Sequence, residues 1–319
     1  MPGSIHGLKV AQAKEKVDEP KTKGNRRFLK AAFDKNERGH MEIQEPEIKS
    51  YEILIIKDEN FIPDNVCIVT GAGSGIGRAA AIAAAKNQLT VVGFDINEGE
   101  AKKTCEMVAS HGGKMECIQI DLCDSDAVAE AVEKAASFGQ IKYLANIAGL
   151  QHIDSVENFP MEKYDLMQKL MLRAPFLLSK LVIPHMKKSK DQIGVIANMS
   201  SVHGHICTKN KPVYNITKFG LRGLSQSVSA EGEGKIRSFT ISTGFVRTRL
   251  ALNQIAAQAE QRGITPDEVV EKVMMGNSRV KEMMTPIEVG NMIIFGFSRH
   301  ANYLIGGDLL FDGGMVLTY

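Results

Sequence analysis

The stretch that most restricts this chain runs from Val66 to Ala85. Val66–Val69 is a short apolar run, the length of a parallel strand buried on both faces. It leads into T-G-A-G-S-G-I-G, Thr70 to Gly77, and then into the alanine-rich run Arg78–Ala85, a strong helix former. Strand, glycine-rich turn and helix in succession is the context of a dinucleotide site. Glycines let the backbone approach a pyrophosphate, and the helix N-terminus presents N–H groups and a positive dipole. Gly71, Gly73, Ser74, Gly75, Ile76 and Gly77 are therefore the candidate cradle. A second apolar run, Thr90–Phe94, ends in Asp95, about 20 residues beyond the glycines. A carboxylate there suits the adenosine ribose hydroxyls of NAD and repels the 2′-phosphate of NADP. The next residues, Ile96 and Asn97, offer NADP no cation.

The alternation continues along the chain. A helix over about Glu98–His111 is followed by a strand, Met115–Ile120, leading to Asp121 and Leu122. A helix near Ser125–Phe138 precedes a fourth strand over Tyr143–Gly149. Helices cover about Met161–Lys188, with interruptions expected at Pro175 and Pro184. Gly194–Met199 is a fifth strand running into Ser201; Tyr214 opens a helix to about Glu231; Ile236–Ser242 is a sixth strand. A polar helical segment, expected to be mobile, covers Leu250–Met284, and a last strand lies within Tyr303–Asp312. This order predicts one α/β domain over 61–319, a doubly wound parallel sheet of the Rossmann type. Ligands then bind at the carboxyl edge of the sheet, where Gly73, Asp95, Ser201, Tyr214 and Lys218 would share a crevice.

Residues 1–60 read as an N-terminal extension, partly disordered or docked. The first forty are rich in Lys and Arg and short of large apolar side chains. A short helix is expected near Arg26–Lys35, and the apolar Tyr51–Ile56 as a strand or a docked segment. No apolar run follows the N-terminus as in a secretory signal, and Glu15, Asp18 and Glu19 interrupt the positive charge of a transit peptide. The formal net charge of +2 points to neither nucleic acid nor a membrane surface, and no apolar run reaches the ~20 residues of a membrane span. The scattered cysteines, Cys67, Cys105, Cys117, Cys123 and Cys207, read as reduced thiols of a cytoplasmic protein, without a metal site.

Tyr214 and Lys218 stand at i and i+4, so on a helix they share a face. A free tyrosine, with a pKa near ~10, is a poor acid/base at neutral pH. An ammonium ~4 Å away at an effective dielectric of ~20 contributes ~4 kcal/mol in favour of phenolate, before any cost of desolvation. Tyr214 beside Lys218 is thus expected to titrate near working pH as a candidate general acid/base, with Ser201 holding the substrate oxygen. Lys211 and His203 flank it, and Gln151 follows the fourth strand; these are donors that an anionic substrate would use, and they read equally as a solvated lysine, a histidine bracing its loop and an ordinary loop amide.

Taken together, TGAGSGIG at 70–77, Asp95, Asp121-Leu122, the N-x-A-G of Asn146–Gly149, Ser201 and the Y-x-x-x-K of Tyr214–Lys218 resemble the short-chain dehydrogenase/reductase family over about residues 62–319. Within that family the D-3-hydroxybutyrate dehydrogenase branch is similar through Gly149–His152, Ser201–Gly204, Lys211 and Gln254-Ile255. The resemblance implies a reversible, NAD-dependent oxidation of a short 3-hydroxy acid to a 3-oxo acid in a homotetramer. It implies Gln151, His203, Lys211 and Gln254 as substrate ligands. Gly71–Gly77, Asp95, Asp121, Leu122, Asn146, Gly149, Tyr214, Lys218, Val246 and Thr248 would contact the cofactor, with Thr248 on the carboxamide.

Three positions depart from the family pattern. Met171 stands where an asparagine usually supports a helix kink and a lysine-bound water, and a thioether cannot make those bonds. Ile147 replaces a second asparagine, and Thr243 replaces the proline before Gly244. These changes keep two other readings open: an NAD-linked enzyme for another alcohol or carbonyl, and a weakly catalytic dinucleotide-binding subunit.

Overall fold

The structure, a computed structural model, describes residues 33–35, 41–43 and 45–317. Its seven-stranded sheet contains β1 (Asn65–Thr70), β2 (Thr90–Asp95), β3 (Lys114–Gln119), β4 (Gln140–Asn146), β5 (Gly194–Met199), β6 (Ile236–Thr243) and β7 (Asp308–Phe311). The order is β3-β2-β1-β4-β5-β6-β7, with every pairing parallel. β1, β5 and β6 are buried along their whole length, which is why they read as strands without polar alternation. The direction of winding reverses between β1 and β4, and the crevice opens beyond their carboxyl ends.

The helices are α1 (Gly75–Lys86), α2 (Glu98–Ser110), α3 (Ser125–Ala136), α4 (Met161–Gln168), α5 (Ala174–Lys188), α6 (Pro212–Glu231), α7 (Arg249–Arg262) and α8 (Pro286–Phe297). α1 and α8 cover one face with Ile82, Ile287, Ile293 and the buried alanines. Val128, Val132, Leu178 and Val182 of α3 and α5 cover the other. The alanines let the two helices of the first face meet closely: a Cβ on Gly290 would lie 3.0 Å from the Ala79 carbonyl oxygen. α8 was not expected from the sequence, although its start carries a capping box. There Thr285 Oγ1 accepts the Glu288 N–H at 3.4 Å and Glu288 Oε2 accepts the Thr285 N–H at 2.6 Å.

Other expectations change in detail. Pro175 sits in the first turn of α5 and Pro184 within it, so neither breaks the helix. The interruption is a π-helical stretch, Lys169–Arg173, with Met171 buried at its centre. The Pro175 ring has no N–H for the carbonyl one turn earlier, which loosens that turn. The π-helical stretch therefore forms with a methionine in place of asparagine. Cys105 on α2 and Cys117 on β3 form a disulfide, which corrects the expectation of reduced thiols throughout. α2 packs over β3 and brings together two cysteines whose spacing matches no motif. Phe33–Lys35 is a strand paired antiparallel with Met41–Ile43, not the end of a helix; the rest of the expected Arg26–Lys35 helix lies outside the described residues. Tyr51–Ile56 is not a strand but docks, with Ile53 buried beside Ile48 and Phe61 in the first core.

At the carboxyl end of β5 the side chain of Asn198 ties four elements together. Its Oδ1 accepts from Asn146 Nδ2 at 2.8 Å, and its Nδ2 donates to Ser225 Oγ at 2.8 Å and Ser238 Oγ at 3.3 Å. All of these groups are buried, so each lost partner costs more than the bond itself contributes. Asn198→Ala is expected to lower unfolding stability by about 3 kcal/mol. Urea denaturation would show this as a lower midpoint with an unchanged slope.

Candidate active site

Two cavities meet at the carboxyl edge of the sheet. The larger, about 490 Å³, is lined by Gly71, Ser74, Gly75, Ile76, Gly77, Asp95, Asp121, Leu122, Gly149 and Thr248 among others. Its floor is the turn after β1. Gly71 adopts a φ of +66°, and its N–H donates to Phe94 O at 2.8 Å. A Cβ on Gly77 would lie 1.9 Å from the Gly71 carbonyl oxygen, so only glycine lets α1 start this close to β1. Asp95 braces the turn: Oδ2 accepts the Gly73 N–H at 2.8 Å and Oδ1 the Asn97 N–H at 2.8 Å. Thr70 Oγ1 accepts the N–H groups of Ile147 at 2.8 Å and Ala148 at 3.1 Å. Of the candidate cofactor contacts, Gly73, Asn146, Tyr214, Lys218 and Val246 are not in the lining of this cleft; Tyr214 and Val246 line the adjoining cavity, and Asn146 lies deeper. The Asn146 amide is turned inward to Asn198, because a buried amide needs that partner.

The smaller cavity, about 90 Å³, adjoins the first through Ile76, Thr248 and Leu250. It is lined by Ser201 and Tyr214, by Gln151, His203, Lys211 and Gln254, and by Val246, with Phe245, Leu250 and Ala251 completing the wall. Phe245, Leu250 and Ala251 were not among the candidates read from the sequence; the apolar pair at the start of the polar α7 was the available signal. Among the described residues, no Asp or Glu lines this cavity. Gln254 Nε2 donates to Gln151 Oε1 at 2.8 Å, which ties α7 to the loop after β4. Among the described residues, Gln151 Nε2 and Gln254 Oε1 are left buried without a partner, one donor and one acceptor.

Ser201 follows β5 directly. Its Oγ lies 3.1 Å from His203 Nδ1, and His203 Nε2 lies 2.9 Å from Thr208 Oγ1. The Tyr214 ring meets the His203 ring edge-on at 5.5 Å. Lys218 is behind the cavity: its Nζ donates to Met199 O at 2.6 Å and lies 5.2 Å from the centre of the Tyr214 ring. Met171 packs in the small cluster that also touches Tyr214.

Burial sets the protonation of this group. It pushes the Tyr214 phenol up to about 12, against a hydrogen bond from Ser201 that acts the other way. This corrects the expectation of a tyrosine titrating near neutral pH: desolvation is the largest cause, and Lys218 Nζ is turned to the Met199 carbonyl, 5.2 Å from the ring centre. Burial lowers Lys218 to about 8 and Lys211 to about 8. His203 falls to about 3 through burial first and the charges of Lys211 and Lys218 second, so its imidazole is neutral at working pH. The smaller cavity thus has a net positive character with a neutral histidine, suited to a small anion that also carries a hydroxyl or carbonyl.

A glycine turn at the point where the sheet reverses its winding, beside a serine, tyrosine and lysine at the same edge, defines an oxidoreductase that uses a nicotinamide dinucleotide. The turn, the Asp95 carboxylate and the size of the cleft fit such a cofactor. Comparison with known proteins agrees. A family model described as enoyl-(acyl carrier protein) reductase matches residues 71–316. A D-beta-hydroxybutyrate dehydrogenase of Rhizobium meliloti is 31% identical over 251 residues, 77% of this chain and 96% of the relative. A 3-oxoacyl-(acyl-carrier-protein) reductase of Thermotoga maritima is 27% identical over 254 residues, 79% of this chain and 98% of the relative. A solved structure, described as a putative NAD(P)-dependent gluconate 5-dehydrogenase from Beutenbergia cavernae with bound NADP, shares the fold. It has a TM-score of 0.72 and 24% identity, covering 81% of this chain and 100% of that one. The chain belongs to the short-chain dehydrogenase/reductase family. Among the described residues, no helix is long and apolar enough to cross a membrane.

The depressed Lys218 pKa has a consequence for stability. The folded form releases its proton near pH 8, whereas an unfolded lysine holds it to 10.5. Between these values the unfolded chain binds more protons, so stability rises with pH; below about 8 the full cost of the buried ammonium is present. Lys218→Met is expected to raise the melting temperature at pH 7, with the gain shrinking as pH rises from 8 to 10.5. Thermal melts across that range check it; a gain that does not change with pH would contradict the burial argument.

Proposed function

We propose that the protein oxidises a short 3-hydroxy acid, most directly (R)-3-hydroxybutyrate, to the 3-oxo acid acetoacetate with NAD, reversibly. The observation that carries this reading is the small cavity that holds Lys211, two glutamines and a neutral histidine beside Ser201 and Tyr214, with no carboxylate in its wall among the described residues. A carboxylate substrate finds a cation in Lys211 and an N–H donor in Gln151 Nε2, with His203 and Gln254 at its side. Ser201 and Tyr214 hold the reacting oxygen. When bound, the nicotinamide takes or returns the hydride. Tyr214 holds its proton at neutral pH, so it is ready to donate to a substrate oxygen in reduction and must lose a proton for oxidation. Lys218 supplies positive charge behind it and holds the nicotinamide ribose.

Cofactor contacts follow the same reading. The backbone of Gly71–Gly77 cradles the pyrophosphate, Asp95 selects NAD, Asp121 and Leu122 flank the adenine side, and Gly149, Val246 and Thr248 complete the nicotinamide side, with Asn146 bracing the end of β4 behind them. We also place the protein in the cytoplasm as a homotetramer. Exposed Phe176 on α5 and Ile216 and Phe219 on α6 would supply contact faces. In that compartment the Cys105–Cys117 bond would be open to reduction. Thr243, which lines the small cavity in place of a proline and adds a hydroxyl, supports a second reading, an NAD-linked enzyme for another alcohol or carbonyl.

The test is NADH formation with (R)-3-hydroxybutyrate, its S enantiomer and a longer 3-hydroxy acid. Turnover on the R acid is expected, rising with pH, with kcat reduced by about 10³-fold in Tyr214→Phe. Turnover confined to the other alcohols of a substrate panel would favour the second reading. NADH binding without turnover on any of them would favour a non-catalytic dinucleotide-binding subunit.

A further inference from the structure

The extension before the domain reaches the cofactor cleft through Glu45. The Glu45 side chain is only 10% exposed and lies against the glycine turn. Its Oε2 accepts the Gly75 N–H at 2.9 Å and lies 3.4 Å from Arg78 Nη1; its Oε1 lies 3.5 Å from the Arg249 backbone N. Gly75 and Arg249 are the first residues of α1 and α7, so one carboxylate meets the amino ends of two helices. The strand Met41–Ile43, just before Glu45, packs alongside α7. A carboxylate and a phosphate use such N–H donors in the same way. Both anions cannot hold them at once, since each brings negative charge into a part-buried site.

We propose that Glu45 is a built-in competitor of the cofactor: its carboxylate occupies the pyrophosphate position at the glycine turn, and a nicotinamide dinucleotide binds by expelling Glu45 with the segment that carries it. This rests on the reading of Gly71–Gly77 as the pyrophosphate cradle. The apparent affinity for cofactor is then lowered by the fraction of molecules in which Glu45 is seated. Glu45 becomes a determinant of cofactor affinity that lies outside the part of the chain matched by the family model.

The test compares full-length wild type, Glu45→Gln and Glu47→Gln, the last removing an exposed carboxylate two residues away. Dissociation constants for NADH and NADPH are measured by nicotinamide fluorescence. Hydrogen exchange of the 41–47 segment and of the glycine turn is followed with and without saturating NADH. Glu45→Gln is expected to bind NADH about tenfold more tightly, the value of one charge-assisted hydrogen bond. Glu47→Gln should match wild type. In wild type, NADH should speed exchange at 41–47 while slowing it at the turn. Equal affinities for Glu45→Gln and wild type, or slower exchange at 41–47 on binding, would overturn the competition while leaving the cofactor site intact. Failure of all three proteins to bind either dinucleotide would overturn the cradle reading itself, and the proposal with it.

Discussion

The hydroxyl of Thr70 holds together the two strands between which the sheet changes direction. After β1 the chain turns to one face and after β4 to the other, so the backbone beyond both strands has no neighbouring strand to satisfy it. Thr70 supplies the acceptor for Ile147 and Ala148 and keeps the two departures side by side. The glycine turn, the end of β4 and the Ser201 loop then stay in fixed relation. The Asn198 network does the same one layer deeper, joining β4, β5, β6 and α6. The crevice is the gap that these two clamps leave open.

Inside that gap, exclusion of water decides the chemistry more than pairwise attraction does. Lys211, Lys218, Tyr214 and His203 all titrate away from their ordinary values, and burial is the largest cause for each. The result is a protonated phenol beside weakened cations and a neutral imidazole. Such a site has a proton to give at neutral pH and keeps a positive field without a fully solvated charge. Met171, next to this group, supplies bulk to the packing around Tyr214 in place of hydrogen bonds.

What the sequence revealed was what local physics decides. Buried strands, the glycine turn, the Y-x-x-x-K spacing and Asp95 at the end of β2 are each written in a few consecutive residues. The rest depends on contacts between distant parts. α8 packs on α1, and its nearly all-apolar sequence shows little helical alternation, so only the Thr285–Glu288 cap marked it. The Cys105–Cys117 bond exists because α2 lies on β3, and no spacing rule announces that. Tyr214 was expected to titrate near neutrality because the lysine's field can be estimated from spacing, whereas desolvation needs the whole environment. Glu45 lies in a segment with no motif, and only its folded position reveals it. The π-helical stretch at Met171 arises where a following proline removes a donor, so the asparagine pattern was a poor guide to the backbone.

The bond between Gln254 and Gln151 leaves hydrogen-bonding capacity in reserve. It holds α7 against the loop after β4 across the wall of the smaller cavity with the protein's own amides. Each amide keeps one further polar atom buried without a partner among the described residues, a donor on Gln151 and an acceptor on Gln254. The contact that fastens this wall therefore also carries an unmet demand for polar partners, which sets it apart from the apolar side made by Phe245, Leu250 and Ala251.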